Sequence, residues 1–206
     1  HSQNVFNSFF IDEFENCRFC FSMGLKPTRD CYDFCWGGAS ESVYEAVSVG
    51  INTSQLRFVY ELYPDCFDQT YCAFCPNSSH LFACVGLRNK SYCILNKQYT
   101  KEEYEKLVPR ITQHMSDMPY VDKKGRVYKY GEFFPPELSP FAYNETIAQE
   151  YFPLTKEEAI ERGYQWRDPE QKQYKITMTT DQIPDHINDV SDSITNEIIQ
   201  CAHADL

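Results

Sequence analysis

Polar or turn-forming residues followed by short apolar runs recur at Gln3, Asn16, Asp30, Glu41, Ser54, Asp65, Ser79 and Ser91, in steps of 13, 14, 11, 13, 11, 14 and 12. A unit this short cannot bury its own apolar face. It must bury it against copies of itself, which is the logic of stacked repeat architectures. Taken two steps at a time the period is 24 to 26, and the fragments around Gly24 and Gly50 stand 26 apart, as one full coil would. The segments between turns, such as Cys31 to Cys35 and Leu56 to Leu62, are short and rich in aromatic and β-branched residues, so strand is favoured over helix. The expected fold is mainly β: a right-handed β-solenoid, parallel β-helix-like, of about four coils over residues 1–99. An irregular antiparallel sandwich is the rival. In stacked coils an inward cysteine or Phe would form a ladder with its counterparts above and below at roughly 4.8 Å.

Cysteine use bounds the chemistry next. Nine of the ten cysteines (Cys17, Cys20, Cys31, Cys35, Cys66, Cys72, Cys75, Cys84 and Cys93) precede residue 97, and Cys201 stands alone near the end. Disulfides, a metal site and buried thiols are all open readings. The density of Phe, Tyr and Leu in the same stretch favours thiols as core filling, because a disulfide scaffold usually has little core of its own. Net charge is −11 and is shared, with 6 Lys/Arg against 10 Asp/Glu over residues 1–96 and 13 against 20 over 97–206. Such a surface repels phosphate backbones, so nucleic-acid binding by this segment is disfavoured. No apolar run reaches the roughly 20 residues a membrane helix needs, and no targeting segment is seen. A cytoplasmic protein is expected. The repeat is already running at Gln3 and no initiator Met is present, so a longer parent chain is expected too.

Residues 100–206 read as a helical cap with a Pro- and aromatic-rich extension. Thr100 with Glu103 forms a capping-box pattern, and Tyr104, Leu107, Val108, Ile111 and Met115 follow at helical spacing. The helix is expected to close the open end of the sheets, with Pro109 kinking or splitting it. The proline-dense run Gly131 to Pro140 should lie extended. Short helices are signalled after Asn144 and after Thr155, the latter with Glu158 and a stop at Gly163, and Ser191 could cap a last helix through Ile199.

Residues Cys84 to Tyr104, the run GEFFPPELSPFAYNETIAQEYFPLTKEEA from Gly131 and the following YQWRD resemble an uncharacterised bacterial family common in small-genome candidate phyla. The resemblance covers residues 84–168 and implies a cysteine-rich repeat array with a helical cap, often followed by a zinc-ribbon-like tail. It implies no activity. Where the ribbon would begin, this chain offers only Cys201 and His203, which do not make a closed zinc site.

Candidate sites are few. Cys17 with Cys20 and Cys72 with Cys75 have the spacing of metal half-sites, and Cys31 with Cys35 is close to it. Of these, Cys17, Cys20, Cys31 and Cys35 are the only four expected to meet. Glu15, Glu41 and Asp65 fall at one repeat position and could line a corner, as acidic residues do on carbohydrate-active β-helices. His80 lacks an evident cysteine partner, and His114 and His186 are equally isolated. No phosphate loop, dinucleotide fingerprint or serine elbow occurs. The sequence therefore names no catalytic, cofactor or metal residue, and the reading it favours is a non-enzymatic solenoid scaffold with a protein partner. A zinc module, a carbohydrate-active enzyme and association with nucleic acid or ribosome through a missing ribbon tail are the alternatives.

Overall fold

A computed structural model describes residues 3–8, 13–25, 27–168 and 174–201. The protein is mainly β, with a mixed seven-stranded sheet and few helices. By contacts it divides into two units, residues 1–165 and 166–206, so the helices after residue 100 share a unit with the strands up to Gln165. In the second unit short 3-10 turns predominate; Ser191 does cap one, but it ends at Asn196.

In the first unit the strands are β1 (Phe14–Glu15), β2 (Phe21–Leu25), β3 (Thr28–Leu62), β4 (Phe67–Thr70), β5 (Ser79–Phe82), β6 (Ser91–Ile94) and β7 (Lys97–Gln98). Pairing is parallel up to β6: Phe14 lies opposite Thr28, Ser54 opposite Phe67, Phe67 opposite Ser79, and Ser79 opposite Ser91. The residues that pair therefore stand 12 to 14 apart. Side-chain bonds keep the same interval, from Asn4 to Asn16 (12), Asn16 to Asp30 (14) and Asn52 to Asp65 (13). Pairing therefore recurs at the single step rather than at the expected 24 to 26 residue pair of steps, which the match of the Gly24 and Gly50 fragments suggests.

Burial explains why so short a unit suffices. Along β3 the buried positions Thr28, Cys31, Phe34, Gly37, Ser40, Val43, Ala46 and Val49 fall at every third residue, where an ordinary half-buried strand alternates every second. Between them a residue with positive φ recurs at the same interval, at Asp30, Asp33, Trp36, Ala39, Ser42, Glu45 and Ser48. Each puts a bend in the left-handed region that non-glycine residues enter at a cost, Asp30 and Asp33 among those that tolerate it best. Glycine is demanded at Gly37, whose φ is +150° and where a Cβ would meet the Val49 carbonyl oxygen at 1.8 Å. The inward residues form one core of Phe, Leu, Val and Cys side chains.

A second, outer cluster holds Phe58, Tyr71, Phe82, Ile94 and Tyr104, against which Leu107, Val108, Ile111, Met115 and Tyr130 pack. The helix α1 (Lys101–Asp117) supplies most of that cover. Its start is as expected, with the Thr100 hydroxyl accepting from the Glu103 N–H and the Glu103 carboxylate accepting from the Thr100 N–H. Of the two outcomes expected of Pro109, a split does not occur, since the residue sits inside α1. The edge after β6 is paired by β7, which returns antiparallel, and α1 packs beside it on the outer cluster that includes Ile94 of β6.

Past α1, Asp122 pins the hairpin of β8 (Tyr120–Val121) and β9 (Val127–Tyr128), accepting from the Lys124 and Arg126 N–H groups and the Arg126 guanidinium. The proline-dense run includes a 3-10 turn at Pro136–Leu138. Asn144 lies inside another at Tyr143–Glu145 rather than capping a helix, and α2 (Ala148–Tyr151) follows. The helix α3 (Lys156–Glu161) has the expected Thr155/Glu158 capping box, and Gly163 follows it with φ +85°.

Candidate interaction face

Seven rings run along the outside of the repeats in unbroken contact. Phe6, Phe19, Tyr32, Tyr44, Phe58, Tyr71 and Phe82 follow one another with centroids 6.2, 5.3, 5.5, 5.5, 4.7 and 5.9 Å apart. Edge-to-face and stacked pairs of this kind contribute about 0.5–1.5 kcal/mol each beyond area burial. The ladder expected of Phe is therefore outward, while Phe14 and Phe34 are the inward ones. The seven recur at steps of 13, 13, 12, 14, 13 and 11, a signal present in the sequence beside the turn residues.

The run changes character midway. Phe58, Tyr71 and Phe82 are 2, 7 and 3% exposed, whereas Phe6, Phe19, Tyr32 and Tyr44 are 58, 42, 39 and 38% exposed. What covers the first group is explicit: α1, with Tyr130 stacking edge-on to Phe58 and Tyr71, and Phe134 on Tyr71. The Tyr71 hydroxyl latches this cover, donating to the Glu132 carbonyl at 3.0 Å and accepting from the Gly131 N–H at 3.1 Å. Burial pushes that phenol up. An apolar groove of about 410 Å³ lies beside the latch, lined by Phe82, Ile94, Ile111, Met115, Phe133 and Leu138 among others.

Acidic side chains border the bare rings. Partial burial pushes the Glu45 carboxyl up; the Tyr44 hydroxyl, donating to it, pulls it back, and the like charges of Asp33 and Glu132 add to the push. The same bond pushes the Tyr44 phenol up to about 12. Among the described residues none of Asp33, Glu45 and Glu132 makes an ion pair.

The cysteines are core residues with a specific task. The Sγ of Cys17, Cys20, Cys31, Cys66, Cys72, Cys75, Cys84 and Cys93 each donates to the carbonyl two residues back, at 3.2–3.6 Å. Ser40 and Ser78 do the same at 2.9 Å. In every one of these cases the residue between is one with positive φ. Cysteine is thus more than small filling: its weak S–H donor serves a carbonyl at each bend. Burial pushes the Cys66 thiol up to about 11.

Of the four cysteines expected to meet, three do. Hydrogen bonds among Cys17, Cys20 and Cys31 hold the Cys17 thiol down and push Cys20 and Cys31 up. Cys35 faces outward opposite Phe21, half-buried, outside that group. Cys72, Cys75 and Cys84 form a second trio, although Cys84 was not paired with that half-site from spacing. Among the described residues no group of three or more His, Cys, Asp and Glu is placed to hold a metal ion. His203 lies outside the described residues.

The acidic corner does not assemble. Arg29 stands between Glu15 and Glu41 in register and pairs with Glu41 at 2.8 Å, while Asp65 sits at another corner, accepting from Asn52. The corner is thus alternately charged. The Arg29–Glu41 ion pair stands where a ladder of carboxylates was expected. His80 is partnered by Asp68 at 2.8 Å and stacks on Tyr92. His114 lies in the last turn of α1 and His186 precedes a 3-10 turn, accepting from the Asn188 N–H. No helix among the described residues is long and apolar enough to cross a membrane. No protein-family profile, curated protein or solved structure matches this chain.

Proposed function

We propose that residues 3–96 are the coils of a β-solenoid, 12 to 14 residues each, and that the protein is a non-enzymatic scaffold whose bare aromatic run docks another protein. The solenoid reading is supported by parallel partners at one recurring interval, with a buried position and a left-handed bend at every third residue. The single observation that carries the docking reading is the switch in exposure along one continuous ring run. Rings at positions 58, 71 and 82 are covered by α1 and the Tyr130–Phe134 segment. Four more rings of the same run have no such cover among the described residues, and exposed contiguous apolar surface of this kind marks interaction sites. Aromatic side chains are also the residues that interfaces favour as anchors.

The test is panning of a random peptide display library on the purified protein, with enriched peptides measured against a Phe19→Ser/Tyr32→Ser/Tyr44→Ser variant. Enriched peptides should lose at least tenfold in affinity for the variant. Peptides that bind both proteins equally, or no enrichment at all, would contradict the docking reading.

A further inference from the structure

The bare rings and the acids beside them select a kind of partner. Asp33 directly follows Tyr32, and Glu45 directly follows Tyr44, each at a left-handed bend. Those bends sit at the edge of the ring run, so carboxylates and ring faces are offered together along its middle stretch. Arg18 lies level with Phe6 and Tyr32 and directly precedes Phe19, so it borders the first part of the run, whereas Asp33 and Glu45 border Tyr32 and Tyr44. That acidic stretch leads into the cover formed by α1 and Tyr130 at Phe58. An occupant there continues an interface that the chain already makes with itself.

We infer that this stretch docks a basic, aliphatic-rich segment of a partner protein, with arginine side chains lying over Tyr32 and Tyr44 and pairing with Asp33 and Glu45. The inference rests on the scaffold reading and adds the chemistry of the partner. Guanidinium suits the site because it is planar, stacks on ring faces and meets carboxylates through a fork of donors. Aliphatic side chains between the arginines fill the spaces between rings, as Leu107, Val108, Ile111 and Met115 do over the covered rings. A chain of net charge −11 also draws such a segment in at long range. An acidic segment would place its carboxylates against Asp33 and Glu45, and nucleic acid would place its phosphates there. Both are repelled.

The experiment measures fluorescence anisotropy of three labelled twelve-residue peptides with the full chain: alternating Arg and Leu, alternating Ser and Leu, and alternating Glu and Leu. The Arg/Leu peptide should bind at least tenfold more tightly than the Ser/Leu peptide, and the Glu/Leu peptide should be weakest. Asp33→Asn with Glu45→Gln should remove most of that preference, while Asp192→Asn with Glu197→Gln, which changes net charge equally, should leave it intact. Equal weakening by the two pairs would overturn the inference, since binding would then be general charge attraction. Equal affinity for the Arg/Leu and Ser/Leu peptides, lost with the ring variant, would overturn the basic preference and leave the scaffold standing. Dimerisation at the assay concentration that the ring variant abolishes would assign the surface to a second copy instead. If no peptide distinguishes the ring variant from the parent, the scaffold reading falls with the inference.

Discussion

The two halves of the aromatic run are built alike and treated differently. From Phe6 to Tyr44 the rings stand in water; from Phe58 to Phe82 they lie under α1 and the Tyr130–Phe134 segment, with the Tyr71 hydroxyl fastening the cover. Ring spacing hardly changes across the boundary, from 5.5 Å between Tyr32 and Tyr44 to 5.5 Å between Tyr44 and Phe58. The difference therefore lies in what is laid over the rings, not in the rings themselves. A repeat surface needs no special construction to become an interface, because stacking already lines up its outward residues. The same surface stabilises the fold where it is covered and remains available where it is not.

That comparison depends first on the repeats being interchangeable units. Removing residues 41–53, which joins Ser40 to Ser54 in register, should leave a folded, shorter protein with the same far-ultraviolet circular dichroism per residue. Removing only residues 41–45, which is not a whole number of three-residue steps, shifts every later inward residue out of phase with Ser40 and should abolish cooperative unfolding. If both deletions fold equally well, the unit is not the one described. A smaller effect is expected at the cover. Thr100→Ala removes the hydroxyl that caps α1 and should cost about 1 kcal/mol in urea unfolding, with Phe82 and Tyr71 gaining reactivity in oxidative footprinting. The same substitution should leave Tyr32 and Tyr44 unaffected. The smallest effect is at the boundary. Because the Glu45 carboxyl is held above the usual carboxylate range, the folded state binds its proton more tightly than the unfolded state does, so stability falls as pH rises through that window. Glu45→Gln should flatten that stretch of the stability–pH curve by about 0.5 kcal/mol or less, the group being partly exposed and screened.

How much of this was legible in the sequence differs by feature. Strand over helix, the capping boxes at Thr100 and Thr155 and the stop at Gly163 are local, and each was readable from residue type and spacing. The 12 to 14 residue pairing interval is half the period that the turn signals suggest, because polar residues mark every bend equally and nothing local says how many bends separate paired residues. The thiols were rightly placed inside. Their hydrogen bonding could have been seen only by noticing that Ser40 and Ser78 replace cysteine at equivalent inward positions. The acidic alignment of Glu15, Glu41 and Asp65 failed with the doubled period, since the single step brings Arg29 between the two glutamates. The aromatic run was the missed signal. Its residues recur as regularly as the turns, but Phe and Tyr are ordinarily assigned to the core, and only three-dimensional exposure separates Phe34 from Tyr32.

The account turns on the claim that one half of the run holds the fold together and the other does not. Equilibrium urea unfolding of two triple variants tests it directly, one with Phe19, Tyr32 and Tyr44 changed to Ser and one with Phe58, Tyr71 and Phe82 changed to Ser. Loss of buried aromatic side chains costs about 3–5 kcal/mol apiece, so the second variant should fail to fold or lose most of its stability. The first should stay within about 1–2 kcal/mol of the parent, having lost only contacts among exposed rings. A first variant as damaged as the second would show that the bare rings are structural and would contradict the account.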